Sequence, residues 1–433
     1  MYPTIIRLTF VPAVFCAAFL VVAGVVCGQP AKAPVADAAG SDWPQFLGPD
    51  RNGISPETGL LVEWGTDGPP ELWRAPGGVG MSGLAIAGGK VVTLVQKSGR
   101  QWALCLNAQT GKAIWEADIA PAYRNAMGDG PRGTPSIAGE AVYVFTGEGI
   151  LAAIKLADGQ ILWKKDVLSE LGGKPADYGM AGSPLVLGDR IVVVVGAPQT
   201  TVAALSTTKG DVLWTSGTDQ PAGYSSPVVL KIADREQLVV FHGSGAIGLD
   251  PKAGTELWNY PYITDFNCNI ATPLAVSGGV LLSAGENHGS VLLSLKPRSE
   301  KFDVAEIWKS QGASSVLRNE WQTSVQVGGQ LYGFDNVGSA GPVTHLTCIT
   351  AATGGRLWQQ QRFGKGNLIA ADGKLFISTM QGELVVARVN PEKYEELGRK
   401  TVVGKTRQAP ALSRGLLYLR DDREIICLDV RTR

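Results

Sequence analysis

Short apolar stretches separated by small polar turns recur along most of the chain. In residues 183–214 the stretches SPLVL, RIVVVV, VAALS and DVLW follow one another, with Gly, Asp, Pro and Thr between them. Stretches of this length are typical of strands and too short for most helices. The pattern predicts a four-stranded antiparallel meander whose strands are joined by tight turns.

The third and fourth stretches together form a sequence motif that recurs at intervals of about 50 residues. Its turn carries a Gly, as a left-handed backbone conformation requires. A Trp then ends the outer strand, where its ring is expected to pack against the next unit. The six units of this kind close on Trp115, Trp163, Trp214, Trp258, Trp308 and Trp358.

Two further units and one isolated strand complete the count. A seventh unit, NLIAADGKLFISTMQGELVVARVNPEKYEELGRK, lacks the Trp, and an eighth that begins at Ala409 lacks a fourth strand. Upstream, PPELW supplies only a fourth strand, ending at Trp73. Because an open stack would leave sheet edges bare, we predict a closed all-β ring. This ring is an eight-bladed β-propeller of four-stranded antiparallel blades over residues 70–433, closed by the N-terminal strand at 71–73.

The N-terminal region has a different character. Arg7 and the apolar run at 8–26 predict a signal peptide over residues 1–28, followed by an Ala/Pro-rich linker over 29–42 and a lead-in segment over 43–69. Export to the periplasm or the extracellular space is therefore expected. Membrane attachment is expected only through an uncleaved anchor, which the length of the run allows, or through a lipid on Cys27.

Charge and cysteine usage narrow the function classes. Lys plus Arg and Asp plus Glu both number 39, so net charge does not attract nucleic acid, and no nucleic-acid partner is predicted. Beyond the export segment, the four cysteines form no CxxC pair, which argues against a zinc site or a redox dithiol. Cys105, Cys348 and Cys427 occupy the third-strand position where other units have a small Ala, so we expect buried free thiols.

These units resemble the PQQ-like repeats of eight-bladed propellers, the superfamily of quinoprotein alcohol dehydrogenases and of the outer-membrane assembly lipoprotein BamB. The resemblance covers about residues 70–430, and WPQFLGPDRNGISPETGLLVEW at 43–64 looks like the lead-in of secreted bacterial members. In the quinoprotein dehydrogenases of this superfamily, PQQ rests over the channel with a calcium ion, a carboxylate base, a tryptophan floor and a disulfide between adjacent cysteines. The resemblance implies the same set of groups here. This sequence has no adjacent Cys pair, and calcium ligands cannot be matched residue by residue.

The loops that enter each first strand are expected to gather around one mouth of the channel, with the loops between second and third strands. They are richer in polar and aromatic residues than turns require. The candidate ligand-binding residues of this funnel are Arg124, Asp129, Arg132, Tyr178, Tyr224, Asn267, Asn269, Arg318, Asn319, Glu320, Trp321 and Lys365.

Structural roles are the alternative for these candidates. Arg132 and Asp129 would then pair with each other or cap backbone groups. Trp321 and Tyr224 would only fill space between packed side chains. His242 and His288, with Glu286 close by, form a weaker metal candidate, because no short ligand motif joins them. No metal site is therefore predicted.

Three function hypotheses follow. The leading one is an exported, non-enzymatic propeller that binds a protein, a peptide or an envelope component, without a cofactor. The alternative is an enzyme, either a quinoprotein-type oxidoreductase with PQQ and calcium in the funnel, or a lyase or hydrolase built there. A purely structural module of a secreted assembly is the third. No oligomeric state is predicted.

Overall fold

The computed structural model describes Met1 and residues 41–61, 64–65, 67–338 and 343–432. The predicted signal peptide and nearly all of the predicted linker lie outside these residues. In the described ranges no helix is both long enough and apolar enough to cross a membrane.

Within these ranges the chain forms eight four-stranded sheets, each antiparallel throughout. The first strand, β1 (Glu71–Pro76), belongs to the last sheet. Blades 1 to 4 contain β2 (Ala85–Ala87), β3 (Lys90–Lys97), β4 (Arg100–Asn107) and β5 (Ala113–Pro121); β6 (Ser136–Ala138), β7 (Ala141–Phe145), β8 (Ile150–Lys155) and β9 (Ile161–Asp166); β10 (Leu185–Leu187), β11 (Arg190–Ala197), β12 (Thr200–Ser206) and β13 (Val212–Ser216); β14 (Val228–Ile232), β15 (Arg235–His242), β16 (Gly245–Leu249) and β17 (Glu256–Pro261).

The remaining blades continue the same order. Blades 5 to 8 contain β18 (Leu274–Val276), β19 (Gly279–Ala284), β20 (Gly289–Arg298) and β21 (Lys301–Ser310); β22 (Val325–Val327), β23 (Gln330–Val337), β24 (Val343–Thr350) and β25 (Arg356–Gln360); β26 (Gly366–Ala371), β27 (Lys374–Thr379), β28 (Glu383–Arg388) and β29 (Glu396–Thr401); β30 (Ala411–Ser413), β31 (Leu416–Arg420) and β32 (Glu424–Asp429). A short helix, α1 (Val167–Glu170), and two 3-10 turns, Asp265–Asn267 and Gly312–Ser314, lie between blades.

Blade 8 is completed by the N-terminal strand. β1 pairs antiparallel with β32, and Trp73 lies opposite Cys427. The predicted closure by residues 71–73 is confirmed, and with it the eight-bladed all-β propeller. Trp73 also contacts the side of blade 1, so the two ends of the described propeller are joined in one hydrophobic cluster.

The outer strand of every blade carries a β-bulge immediately before the tryptophan position. In blade 1, Trp115 lies opposite Cys105 while Ala113 lies opposite Leu106, so Ile114 has no ladder partner. The same shift occurs in the other seven blades. A bulge increases local twist and ends regular pairing at an exposed edge. In six blades the residue at the bulge is an exposed aliphatic one, such as Ile114, and the ring that follows turns to the neighbouring blade, whereas Leu257 of blade 4 is buried.

The tryptophans join consecutive blades in the manner the sequence predicted. Trp73 donates its indole N–H to the carbonyl of Ala108 in blade 1 at 2.9 Å, and Trp115 donates to Leu156 in blade 2 at 2.9 Å. Trp163, Trp308 and Trp358 make the equivalent bond to Thr207, Ala351 and Asn390. Each of these bonds satisfies a buried donor while the ring excludes water from the joint.

Blades 3, 4 and 7 depart from this arrangement. In blade 3 the indole N–H of Trp214 is buried without a hydrogen-bond partner among the described residues. Trp258 of blade 4 donates to Gln237 of its own blade. In blade 7, Gly398 stands at the tryptophan position, opposite Val386. The ring of Trp64 from the lead-in lies over Gly398, so closely that an added Cβ would meet its Nε1 at 1.9 Å. The lead-in therefore supplies the ring that the seventh repeat lacks.

The third-strand position opposite the tryptophan holds the three predicted thiols. Cys105, Cys348 and Cys427 are fully buried and free. Burial raises the pKa of Cys105 and Cys427 to about 12, which keeps these thiols neutral. Leu292 of blade 5 occupies the same position, so the expected restriction to small residues was wrong for that blade.

The lead-in crosses the ring beside the innermost strands. Trp43 forms a two-way backbone bridge with Ile86 of blade 1, and Ser55 donates to Ala370 of blade 7 at 2.9 Å. The carboxylate of Glu57 accepts backbone N–H bonds from Arg414 and Gly415 of blade 8, both at 2.6 Å. The lead-in thus ties the first blade to the last two.

Replacing Trp73 by Ala should destabilise the ring at its closure. The change removes a nearly buried ring and its bond to Ala108, and we expect a loss of about 3–5 kcal/mol in the free energy of unfolding. Urea titration followed by circular dichroism measures this. Leu72→Ala is the matched control, because Leu72 is exposed and should change stability by less than about 0.5 kcal/mol. Equal effects of the two changes would contradict the closure.

A pair of glycine substitutions tests the contact between blades separately. Gly89 and Gly111 both have left-handed φ angles, of +72° and +68°. A Cβ at Gly89 meets open space, whereas one at Gly111 would lie 2.5 Å from the Trp73 ring. Gly89→Ala should therefore cost about 1 kcal/mol for the backbone alone. Gly111→Ala should cost about 1–3 kcal/mol more in the same urea titration, and a similar cost for both would show that the ring does not rest there.

Candidate functional site

A funnel opens at one end of the ring axis, where the loops entering the blades meet. Its cavity measures about 460 Å³. All eight entry loops contribute to the wall, and the turn between β19 and β20 adds Gly285, Glu286 and His288. This is the arrangement of loops that the repeat pattern predicts.

The lead-in closes the bottom of the funnel. Trp43, Phe46 and Leu47 form part of the lining. A Cβ at Gly48, which has φ +82°, would lie 2.7 Å from the Trp43 ring, so the lead-in can approach its own tryptophan only with glycine there. Arg51 is buried and donates to the carbonyl oxygens of Ser183 and Pro184 at 2.9 and 3.0 Å. The funnel is consequently a blind pocket with an apolar floor.

Half of the predicted site residues line this funnel, and half do not. The lining includes Arg132, Tyr178, Tyr224, Glu320, Trp321 and Lys365. The other six lie in the same loops without lining it: Arg124, Asp129, Asn267, Asn269, Arg318 and Asn319.

Three of the six are buried and hold the loops in place. Arg318 forms a buried ion pair with Asp335, with N–O distances of 2.6 and 2.8 Å. Asn269 donates to the carbonyl oxygens of His242 and Tyr262, at 2.6 and 3.0 Å. Asn319 likewise bonds to the carbonyl of Phe334. Buried polar groups need such partners, so their role here is structural.

The other three lie toward solvent or in turns. Arg124 and Asp129 are exposed, and Asp129 accepts a hydrogen bond from the backbone of Asn125. Asn267 has a left-handed φ of 56° in the turn that carries Phe266.

Arg132 lines the funnel with its donors already used. Its guanidinium donates to the carbonyl oxygens of Gly128, Gly130 and Tyr178, and it lies 4.6 Å from the centre of the Tyr123 ring. It does not pair with Asp129, contrary to one of the alternatives considered above. Burial lowers the pKa of Arg132, and the charges of Asp129 and Glu148 oppose that lowering without forming an ion pair with it in the described residues.

An ion pair and a tryptophan form the wall at blades 6 to 8. Lys365 lies 2.7 Å from the Glu320 carboxylate and 4.4 Å from the centre of the Trp321 ring. Arg407, which the sequence analysis did not select, lies 5.0 Å from the same ring. Burial raises the pKa of Glu320, and the bond from Lys365 opposes that rise. Both cations are held by the ring face through cation–π attraction.

Aromatic side chains form the opposite wall. Tyr178 stacks on Tyr224 with ring centres 5.6 Å apart, and it lies 6.4 Å from the Phe266 ring. Phe266 is 64% exposed at the funnel mouth. Burial and the nearby carboxylates, Glu286 first among them, raise the pKa of the Cys268 thiol to about 12. This thiol is neutral and not an activated nucleophile.

The two histidines near the funnel accept hydrogen bonds from neighbouring backbone groups. His242 is buried, burial lowers its pKa to about 4, and its Nδ1 accepts from Ser244. His288 Nε2 accepts from the backbone of Asp265 at 3.3 Å. In the described part of the chain no group of three or more His, Cys, Asp or Glu side chains is placed to hold a metal ion.

The lining does not fit the calcium and PQQ set that the family resemblance implies. Calcium takes six to eight oxygen ligands, and two carboxylates face the described funnel. One of them, Glu320, is bound to Lys365. The described free cysteines are far apart in sequence, so none can form the disulfide between adjacent residues. No reaction step through this cofactor follows from the residues present.

Some lining residues were missed, for two reasons. Arg407 and Met81 lie in loops that enter blades 8 and 1, and treating those loops like the other six would have selected them. Trp43, Phe46 and Leu47 come from the lead-in, outside the repeats, so periodicity carries no signal for them.

Comparison with known proteins supports the fold and identifies the family. The family model described as outer membrane protein assembly factor BamB matches residues 99–360 and 342–433. The outer membrane protein assembly factor BamB of Shewanella oneidensis is 27% identical over 212 residues, which are 48% of this chain and 49% of that protein. The match thus spans about half the length of this curated relative.

Solved structures with the same architecture have low sequence identity. A europium-containing methanol dehydrogenase superposes with a TM-score of 0.64 at 13% identity, covering 89% of each chain. The quinohemoprotein alcohol dehydrogenase of Comamonas testosteroni gives 0.64 at 12%, over 90% of this chain and 80% of that one. BamB of Moraxella catarrhalis gives 0.54 at 13%, over 82% and 97%. These likenesses show the fold alone, whereas the family model covers most of the propeller: the chain belongs to the family described as outer membrane protein assembly factor BamB.

Proposed function

We propose that this protein is an exported, non-enzymatic propeller that binds a polypeptide partner of the cell envelope at the mouth of the funnel. The observation that carries the proposal is the blind funnel itself, with an apolar floor and aromatic walls. Peptide-binding sites commonly combine such apolar pockets with a few placed polar groups.

The polar side chains of the funnel support binding over catalysis. Arg132 is bonded to three backbone carbonyls, and Glu320 is bonded to Lys365. Cys268 is a neutral thiol, and the His288 ring accepts a backbone N–H. Nucleophilic catalysis needs a nucleophile in contact with a base, and these contacts instead immobilise the lining.

The mouth offers an apolar surface to a larger partner. Phe266 and Ile263 are 64% and 74% exposed on the loop entering blade 5, and Met127 is 38% exposed on the loop entering blade 2. Exposed aromatic and aliphatic residues around a pocket are typical of protein interaction sites. The relatives are named for assembly of outer membrane proteins, which agrees with a polypeptide partner in the envelope.

Site-specific photo-crosslinking tests this placement. A benzoylphenylalanine replaces Phe266 at the mouth, and in a control protein it replaces Lys209 in the turn between β12 and β13. Successive turns of a blade alternate between its ends, so Lys209 lies at the opposite end from the funnel. We expect defined adducts with envelope polypeptides from position 266 and none from position 209. The same adducts from both positions would contradict a binding site at the funnel mouth.

The enzymatic alternative predicts a different result. The purified protein is incubated with PQQ, calcium and a panel of alcohols and sugars, and reduction of an electron-accepting dye is recorded. Because the lining lacks the calcium and cysteine groups described above, we expect no reduction beyond that of the heat-denatured protein. Turnover with any substrate would overturn the non-enzymatic proposal.

A further inference from the structure

Three charged side chains that line the funnel form no ion pair within the described residues. Glu320 and Lys365 neutralise each other, but Glu286, Arg132 and Arg407 take part in no ion pair there. Partly buried charges are costly unless they are paired or serve a ligand. The guanidinium of Arg132 is already bonded to three carbonyl oxygens, so Glu286 and Arg407 are the groups that indicate what the funnel holds.

The unpaired charges lie on opposite sides of the ring. Glu286 belongs to blade 5, in the turn between β19 and β20. Arg132 and Arg407 lie in the loops entering blades 2 and 8, which flank blade 1. In a ring of eight, blade 5 stands opposite blade 1. The funnel thus carries an acidic group on the loop of blade 5 and arginines on the loops that flank blade 1, and the Glu320 and Lys365 pair lies on the loops of blades 6 and 7.

The negative side suits an ammonium group. Glu286, Tyr178 and Cys268 line the funnel together. Burial is the main cause of the raised pKa of the Tyr178 hydroxyl and of the Cys268 thiol, and the charge of Glu286 contributes to both. The rings of Tyr178, Tyr224 and Phe266 adjoin one another on this side. A carboxylate next to several aromatic rings attracts a cation both by charge and through the ring faces.

The positive side suits a carboxylate. One Nη of Arg407 donates to the carbonyl of Met127 at 2.7 Å and lies 3.6 Å from the Met81 sulfur. Its Nε and its other Nη have no hydrogen-bond partner among the described residues, and Arg407 lines the funnel with its guanidinium 5.0 Å from the centre of the Trp321 ring. Arg132 adds a second positive charge nearby. Burial lowers its pKa most, and the charge of Arg407 lowers it further. Guanidinium groups bind carboxylates through charge-assisted hydrogen bonds.

We propose that the funnel binds a short peptide with both ends free, its terminal ammonium at Glu286 and its terminal carboxylate at Arg407. An apolar side chain of the peptide rests on the floor formed by Trp43 and Leu47. The cavity of about 460 Å³ has the size of a site for a small ligand. This second proposal narrows the ligand from polypeptides in general to short peptides with free ends. It rests on the proposed function, which is polypeptide binding at the funnel.

Three peptides with one sequence test both ends. Ala-Phe-Ala is titrated into the full protein with free ends, with an acetylated N-terminus and with an amidated C-terminus, and binding is measured by calorimetry. Blocking either end should weaken binding about tenfold or more, since each cap removes one charged partner. Equal affinities for the free and capped peptides, or no binding of any of them, would overturn the proposal.

Two variants assign each end to its side chain. Glu286→Gln should remove the penalty for the acetyl cap and keep the penalty for the amide, and Arg407→Gln should do the reverse. Lys209→Gln, at the opposite end of the ring, should keep both penalties. Arg407→Lys retains the charge without the fork and should keep part of the amide penalty, which guards against a folding defect in Arg407→Gln. If Glu286→Gln leaves the acetyl penalty unchanged, the assignment is wrong.

The outcome separates this proposal from the proposed function. Crosslinks from position 266 together with equal binding of free and capped peptides would leave polypeptide binding standing and remove the selectivity for free ends. Loss of crosslinks from position 266 would remove the underlying function.

Discussion

The joint between neighbouring blades is the interaction on which the rest of this structure depends. A tryptophan at the end of an outer strand donates its N–H to a carbonyl of the next blade and covers a turn glycine there, as Trp115 does with Leu156 and Gly159. Five of the eight joints bury a large ring and satisfy its one polar atom in this way. Repeated around an axis, such joints set the spacing of the blades, and the spacing of the blades sets the width of the channel.

The lead-in closes the channel of this ring at one end. An empty channel through a propeller has two mouths and no floor, whereas here Trp43, Phe46 and Leu47 close one end. The same segment supplies Trp64 over Gly398 and the Glu57 carboxylate to the last blade, so closure of the ring and closure of the funnel share one stretch of chain. The stability of the ring and the shape of the funnel are therefore coupled in the lead-in.

The funnel lining divides its polar groups between support and recognition. Arg318 and Asn269 are buried and fix loop backbones, and the Glu320 and Lys365 pair stiffens one wall. These contacts fix the backbones of the loops that carry Glu286 and Arg407 into the lining. A pocket whose lining is held in place loses little entropy when a ligand binds, which favours selectivity over adaptability.

The sequence by itself determined the number of blades, the strand order and the place of closure, because the turn glycines and the tryptophans act over short distances and repeat with one period. It also placed the polar loops at one mouth. Only the tertiary structure decided which loop residues face the cavity: Asn319 is buried against Phe334, whereas its neighbour Glu320 reaches Lys365 from another blade. The direction of a side chain in an irregular loop depends on partners distant in sequence, and the path of the lead-in has no counterpart in the repeats. Local periodicity therefore predicted the scaffold, and contacts between blades decided the site.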